Sequence, residues 1–292
     1  MKRKDLRNPK SECISLGDWI ESGRSILKNN PNEPLSSLYA LVGHILGKPT
    51  HYAISHPEYR LSREETALLD GLLKQLISGV PLPYLTSRQS FYGLEFFINT
   101  SVLIPRPETE LLVESALDWL KTHAGQKLAI DVGTGSGCIA VAICANAKNV
   151  RFISTDKSLE ALMVARKNIS AYQLEKRVLL AQTDLLKAFS GSFDLICANL
   201  PYIPSARLPS LLVSRHEPLL ALNGGEDGLN LIEDFLRQAA HLISSKGVIL
   251  LEIDFTQYLA VEELAKKLFP FASIKIMEDL AGLPRIVVIQ LI

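Results

Sequence analysis

The stretch Leu128-Ala129-Ile130-Asp131-Val132-Gly133-Thr134-Gly135-Ser136-Gly137-Cys138, followed by the apolar run Ile139-Ala140-Val141-Ala142-Ile143, decides the fold of this 292-residue chain. An apolar strand runs into three alternating glycines and then into an apolar helix. Glycines at such a turn let the backbone approach a ligand closely and leave the N–H groups of the helix N-terminus facing it. A dinucleotide-binding turn needs its third glycine at position 138, which here is Cys138, so NAD binding is disfavoured. The next apolar strand, 150–155, ends in Asp156, and an acidic residue at that point of a βαβ unit accepts hydrogen bonds from ribose hydroxyls. The expected ligand is a nucleoside. Asp131 has two readings: it orients the loop or an amino group of the ligand, or it caps local backbone donors.

Further along, Asn199-Leu200-Pro201-Tyr202 stands where a parallel strand should end. Taken alone the tetrapeptide reads equally as an ordinary turn, since Asn and Pro favour turns for backbone reasons. Downstream of the glycine loop it suggests the alkylation of a planar nitrogen. An amide NH2 is a poor nucleophile because its lone pair is delocalised, so its two hydrogens must be held by acceptors. The Asn199 side-chain carbonyl and the Leu200 main-chain carbonyl can supply them. Pro201 fixes φ and stiffens the turn, and Tyr202 offers a flat face for a planar group.

The rest of the chain is organised around these two motifs. From residue 16 to about 78 apolar residues recur at helical spacing, as in Leu38-Leu41-Val42-Ile45 and Leu68-Leu69-Leu72-Leu73-Leu76, and Ser62-x-x-Glu65 is a capping box. Pro81-Leu82-Pro83-Tyr84 interrupts that pattern, with the break near Gly79, and 91–99 alternates around Tyr92-Gly93 as a short hairpin. These signals divide the chain into a helical domain 1–80, a linker with a β-hairpin 81–104, and a larger domain 105–292. In the last, strands are expected at 127–132, 150–155, 178–181, 193–198, 248–253, 273–277 and 285–291. Helices are expected from 108 to about 120 and at 159–171, 229–244 and 257–268. The alternation implies a mostly parallel sheet covered on both faces. Gly133 to Gly137, Asp156, Asp184 and Asn199 all fall just past strand ends, so they should converge on one edge.

Composition excludes several classes. Lys plus Arg and Asp plus Glu are 31 each, which gives no net charge and argues against affinity drawn from nucleic-acid phosphates. Residues 1–7 are basic but no apolar segment follows, and no run approaches the ~20 residues of a membrane span. A cytoplasmic monomer is expected. Cys13, Cys138, Cys144 and Cys197 have no metal or disulfide spacing, and the six histidines have no ligand spacing, so no metal is expected. Cys197, close to Asn199, is read as a buried strand residue and not as a nucleophile.

Phe91-Tyr92-Gly93-Leu94-Glu95-Phe96, Leu103-Ile104-Pro105-Arg106-Pro107-Glu108-Thr109-Glu110, Asp131 to Gly137, Asn199 to Tyr202, His216-Glu217-Pro218 and Gly224-Gly225-Glu226-Asp227-Gly228-Leu229 occur in this order. In this series the chain resembles the class I S-adenosylmethionine-dependent methyltransferases, and within them the protein-(glutamine-N5) methyltransferases that modify peptide chain release factors. The resemblance runs from about Gly79 onward and covers the helical part only loosely. It implies an α/β fold, a Rossmann-like seven-stranded sheet with helices on both faces and an antiparallel last strand, plus a small all-helical N-terminal domain. It implies S-adenosylmethionine held by Asp131, Gly133, Thr134, Gly135, Ser136, Gly137, Asp156, Asp184, Leu185 and Asn199. Asn199, Leu200, Pro201 and Tyr202 would form the glutamine pocket, with Asn199, Pro201 and Tyr202 serving the transfer. The partner would be a class 1 release factor, methylated on the glutamine of its Gly-Gly-Gln loop and docked by the helical domain.

Two positions depart from the family pattern. Leu200 replaces a proline but keeps the carbonyl that accepts an amide hydrogen, and Leu185 stands where relatives often have an aromatic over the adenine. Asp184 either reads the adenine amino group or caps a following helix. Arg106 is either a substrate clamp or part of a rigid helix start that can form a lid, with Glu108 and Glu110 in the first turn. Glu226 and Asp227 read as turn residues in preference to a general base, and His216 as shaping the loop beside the pocket. Adenine-N6 methylation of nucleic acid and non-catalytic binding of the nucleoside are the rival functions.

Overall fold

The computed structural model describes residues 13–28, 30 and 33–292; the basic start at 1–7 lies outside them. Two compact units divide between Thr86 and Ser87. The first holds α1 (Leu16–Leu27), α2 (Ser36–Leu46), α3 (Tyr52–Ser55), α4 (Arg63–Ile77) and α5 (Leu82–Thr86). Ser62 and Glu65 exchange both bonds of the capping box at the start of α4, at 3.1 and 2.7 Å. The apolar stripes read from the sequence meet in one core around Leu16, Leu38, Leu41, Leu69 and Leu76. Pro81-Leu82-Pro83-Tyr84 does not leave this unit. Prolines are tolerated in a first helical turn, and here they start α5, so the division falls later than Gly79.

The second unit opens with the hairpin β1 (Arg88–Phe91) and β2 (Leu94–Phe97), turning at Tyr92 and Gly93, both at positive φ. There follow α6 (Glu110–Thr122), β3 (Lys127–Val132), α7 (Cys138–Asn146), β4 (Val150–Asp156), α8 (Leu159–Ala171), β5 (Val178–Gln182), β6 (Phe193–Asn199), the short pair β7 (Ile203–Pro204) and β8 (Asn223–Gly225), α9 (Asn230–Ala239), β9 (Ile243–Glu252), α10 (Tyr258–Leu268), β10 (Ala272–Glu278) and β11 (Pro284–Leu291). The main sheet has the order β10-β11-β9-β6-β3-β4-β5. β9, β6, β3, β4 and β5 are parallel, and β11 is antiparallel to both its neighbours, as expected for the last strand.

Both faces of the sheet are buried, which is why its central strands read as continuous apolar runs. Ile249 and Leu251 of β9, with Ile253 just past its end, join Ile232, Phe235 and Leu236 of α9 and Val261 of α10 in one core, while Val248 and Leu250 alternate to the other face and are equally buried. α7 is apolar all round because it packs with both α6 and α8. One helix differs from expectation. Instead of running over 229–244, α9 stops at Ala239, and β9 takes up the polar stretch Ser244-Ser245-Lys246-Gly247. Its register with β6 shifts between Phe193 and Leu195, so this stretch is an irregular strand start whose polar side chains hide the strand period. No helix among the described residues is long and apolar enough to cross a membrane.

Candidate active site

β3 leads away to β4 and β5 on one side, and the chain then returns to β6 on the other, so a crevice opens at the carboxyl ends of β3 and β6. A cavity of about 330 Å³ fills it. Gly133, Thr134, Gly135, Ser136, Asp156, Asp184, Leu185, Asn199, Leu200 and Pro201 line it, joined by Ser101 to Leu103, Pro105, Arg106, Thr109, Pro218 and Leu220. Of the residues singled out in the sequence, Asp131, Gly137 and Tyr202 are not among the lining.

The alternating glycines have a conformational cause. Gly133, Gly135 and Gly137 sit at φ of +73°, +54° and +80°, where a side chain is strained. A Cβ at Gly137 would also come within 3.3 Å of Ala165, so this glycine lets α7 approach α8. At Gly135 a Cβ would meet only the Gly133 carbonyl oxygen, at 4.0 Å, because the space beyond is open cavity. The loop is pinned to the end of β4 by two successive N–H groups. Thr134 N–H donates to the Thr155 carbonyl at 2.8 Å, and Gly135 N–H donates to Asp156 Oδ2 at 2.9 Å. Asp156 also accepts from Ser158 N–H at 2.9 Å, and burial raises its pKa against these donors. Each carboxylate oxygen keeps a second lone pair for a ligand hydroxyl. Asn168, buried on α8, was not legible as a site residue, yet its amide donates to Ser136 O and Phe97 O and accepts from Phe97 N–H, so it ties the hairpin to the loop.

Asp131 lies beneath the loop, fully buried. Its Oδ2 accepts from the Thr134 hydroxyl at 2.5 Å, and Oδ1 has no partner. Burial pushes its carboxyl up to about 7, opposed by the Thr134 hydrogen bond and helped by the charge of Asp156.

Asn199 ends β6, and Leu200 follows it directly. Asn199 Nδ2 donates to Thr109 Oγ1 at 3.0 Å, which leaves the side-chain carbonyl as the acceptor available to a ligand in the cavity. Leu200 is buried in the core and covers Gly133, whose Cβ would lie 3.2 Å from a Leu200 methyl. Its side chain thus stabilises the turn by burial where a second proline ring would have done so by restraint. Tyr202 points its hydroxyl at Glu252 Oε1, 3.5 Å away. The segment 224–228 backs the turn: Gln257 Nε2 donates to the Tyr202 carbonyl at 3.0 Å, and Gly224 and Gly228 leave room for the turn backbone. Asp227 accepts from Leu229 N–H at 2.9 Å, a turn contact as read.

Two segments frame the cavity from outside the sheet, and one buried acid joins them. Glu217 Oε2 accepts from Ile104 N–H at 3.1 Å, and Oε1 pairs with Arg106. Arg106 is therefore a brace as well as part of the wall, and Glu217, more than its neighbour His216, shapes this loop. Glu110 sits in the first turn of α6 and also accepts from Tyr92 N–H at 2.7 Å. Leu185 holds φ +54° against the cavity, an unusual strain for a non-glycine residue. Asp184 caps no helix, since a turn follows it; it pairs with Lys187 at 2.5 Å and lines the cavity. Cys138, Cys144 and Cys197 are buried, whereas Cys13 is exposed.

Glu252 belongs to none of the sequence motifs. It is buried at the end of β9, opposite Asn199 in register, and its Oε2 has no partner. Burial pushes its carboxyl up to about 7, against hydrogen bonds from Thr109 and Asn199 and the positive charge of Arg285. A carboxyl raised in the folded state keeps its proton when the unfolded chain has lost it, so its stabilising contribution is full below the unfolded value and lost as pH rises through the folded one. For Asp131 and Glu252 that window runs from near 4 to about 7. The melting temperature of the ligand-free protein is expected to fall by a few degrees between pH 5.5 and pH 7.5. Calorimetry at the two pH values checks it, and Asp131→Asn should flatten the slope.

The cavity and its motifs have counterparts elsewhere. A family profile described as Methyltransferase small domain matches residues 108–213, and one described as PrmC N-terminal domain matches residues 18–86. The release factor glutamine methyltransferase of Moorella thermoacetica is 41% identical over 232 residues, 77% of this chain and 82% of its own length. That of Clostridium acetobutylicum is 30% identical over 280 residues, 94% of this chain and 98% of its own. Among solved structures, a methyltransferase from Pyrococcus furiosus superposes with a TM-score of 0.50 at 21% identity, covering 69% of this chain and 90% of that one. The T. thermophilus 16S rRNA N2 G1207 methyltransferase, in complex with AdoMet and guanosine, gives 0.51 at 16% identity, covering 70% and 50%. Both likenesses show the fold.

Proposed function

The chain belongs to the release factor glutamine methyltransferase family, and from that premise we propose that it transfers a methyl group from S-adenosylmethionine to the side-chain amide nitrogen of the glutamine in the Gly-Gly-Gln loop of a class 1 release factor. The observation that carries the reading is the Asn199 amide, whose nitrogen is committed to Thr109 so that its carbonyl is left for a substrate NH2 beside the glycine loop.

The site fits the cofactor. An open space that a Cβ at Gly135 would begin to fill, a cavity of about 330 Å³ and an acid at the end of β4 suit a nucleoside with an amino-acid tail. Gly133, Thr134, Gly135 and Ser136 would hold it along the loop, with Asp156 on the ribose and Asp184 and Leu185 at the base; Asp131 and Gly137 would shape the loop from beneath. When bound, S-adenosylmethionine supplies a methyl group on a positively charged sulfur.

The protein's own work is positioning and polarity. Asn199 Oδ1 and the Leu200 carbonyl accept the two amide hydrogens and favour positive charge developing on that nitrogen. Pro201 holds the turn's φ, and Tyr202 flanks it. Keeping donor carbon and acceptor nitrogen about 3 to 3.5 Å apart contributes several kcal/mol. Glu217, by bracing Arg106 and Ile104, holds the outer wall that excludes water. On this reading the protein is a cytoplasmic monomer acting on protein and not on nucleic acid, and its helical N-terminal unit supplies area for docking the release factor.

The test is mass spectrometry of the Gly-Gly-Gln peptide from an unmethylated release factor incubated with the protein and S-adenosylmethionine. One added methyl on that glutamine, absent when it is replaced by alanine, is the expected result. Transfer only to adenine in added nucleic acid would sink it.

A further inference from the structure

The planar-nitrogen reading requires Asn199 to show its carbonyl to the substrate, yet an asparagine amide can sit either way round in a turn. Something must set its orientation. β6 and β9 are parallel neighbours, and their register puts Asn199 directly opposite Glu252. Thr109 ends the 3-10 turn before α6, and its Oγ1 accepts from Asn199 Nδ2 at 3.0 Å, while the side chains of both Thr109 and Asn199 are hydrogen-bonded to the Glu252 carboxyl. Glu252 is buried, does not line the cavity, and has one oxygen without any partner.

A threonine hydroxyl has one proton to give. Above about pH 7 the Glu252 carboxyl is ionised and accepts only, so the Thr109 proton goes to it and Thr109 Oγ1 can do nothing toward Asn199 except accept. It must then face the Asn199 NH2, and the Asn199 carbonyl is turned to the cavity. We infer that Glu252 is a positioning residue which, directly and through Thr109, fixes the direction of the hydrogen-bond chain and hence the face that Asn199 shows to the substrate amide. Tyr202, whose hydroxyl donates to Oε1 of the same carboxyl at 3.5 Å, ties the turn to the same anchor. The inference rests on the glutamine-methyltransferase reading and names a residue that the sequence motifs leave out. It also accounts for a buried acid in a place where a hydrophobic side chain would otherwise be favoured.

Glu252→Gln keeps the shape and removes the polarity, since a Gln amide can donate to Thr109 as well as accept from it. The experiment measures steady-state methylation of a release factor by the full chain, together with calorimetric affinity for S-adenosylhomocysteine. Glu252→Gln is expected to lower kcat on the order of 30- to 100-fold, with KM and S-adenosylhomocysteine affinity within about threefold. Thr109→Val should give a smaller loss, because Glu252 still accepts from Asn199 directly, and Thr109→Ser should recover kcat to within about threefold of the parent. Because both residues act in one chain, the double variant Thr109→Val with Glu252→Gln should be no slower than the slower single one.

An unchanged kcat in Glu252→Gln, or losses that multiply in the double variant, would overturn the relay while leaving the proposed function standing. Should Glu252→Gln fail to fold, the valine and serine variants decide, and equal loss in both overturns it. Failure of the parent protein to methylate any glutamine would instead bring down the acceptor reading, and the relay with it.

Discussion

Asn199→Ala is expected to lower kcat for glutamine methylation by about three orders of magnitude while leaving S-adenosylhomocysteine affinity within about tenfold of the parent. The reason for the split lies in what each group touches. The cofactor cradle is built from main chain and carboxylate at the ends of β3 and β4, and Gly135, Asp156 and Ser158 hold one another there without help from Asn199. The acceptor nitrogen depends on Asn199. Its carbonyl offsets positive charge that appears only as the methyl group arrives, so its loss acts on the transition state more than on the ground state. Alanine also removes the donor that the buried Thr109 accepts, a loss that falls on stability more than on the transfer step. Methylation followed by mass spectrometry, beside titration calorimetry with S-adenosylhomocysteine, separates the two. A variant with parental kcat would remove Asn199 from the chemistry. A variant that no longer binds S-adenosylhomocysteine would make it a cofactor residue first.

The sheet was legible because its strands are bounded by strong signals. A parallel strand buried on both faces must be apolar throughout, and the runs ending in Asp131-Val132, Thr155-Asp156 and Ala198-Asn199 each stop at residues with a reason to be at an edge. The start of β9 was not legible. Ser244, Ser245 and Lys246 lie where the ladder with β6 is irregular, so neither face demands apolar side chains and the period is lost. Prolines at 81 and 83 misled for a related reason, since the same restraint on φ that ends one helix starts the next.

The site divided in the same way. Loop residues announced themselves because alternating glycines at a strand end and an Asn-x-Pro-Tyr turn carry local signals. Glu252, Thr109, Glu217 and Asn168 did not, because their roles come from pairings over tens of residues. Glu252 meets Asn199 only through strand register, and Glu217 meets Ile104 and Arg106 only once both segments fold over the cavity. An isolated acid in an apolar run, such as Glu252 after Ile249-Leu250-Leu251, is the one signal that could have pointed inward, since burying it unpaired is costly.

Gly228→Ala is expected to destabilise the protein by about 2 to 4 kcal/mol and to reduce transfer far more than cofactor binding. Gly228 sits at φ +82°, and a Cβ there would stand 2.2 Å from the Tyr202 carbonyl oxygen and 2.6 Å from Gln257 Nε2, the pair whose hydrogen bond anchors the turn. Neither neighbour can yield cheaply. The carbonyl belongs to the backbone that presents Leu200 and Asn199, and Gln257 is buried at the start of α10. The methyl group therefore moves the turn or breaks its anchor, and the melting temperature should fall by roughly 2 to 4 °C for each kcal/mol lost. Gly191→Ala is the control. It too has positive φ, +100°, but nothing within 4 Å of the added Cβ, so it carries the backbone strain alone and should leave kcat at the parental value. If both alanines lower stability alike and neither changes kcat, the Gly224 to Gly228 segment is an ordinary loop. If Gly228→Ala alone lowers kcat while S-adenosylhomocysteine still binds, the glycines behind the turn are there to set where the acceptor carbonyls stand.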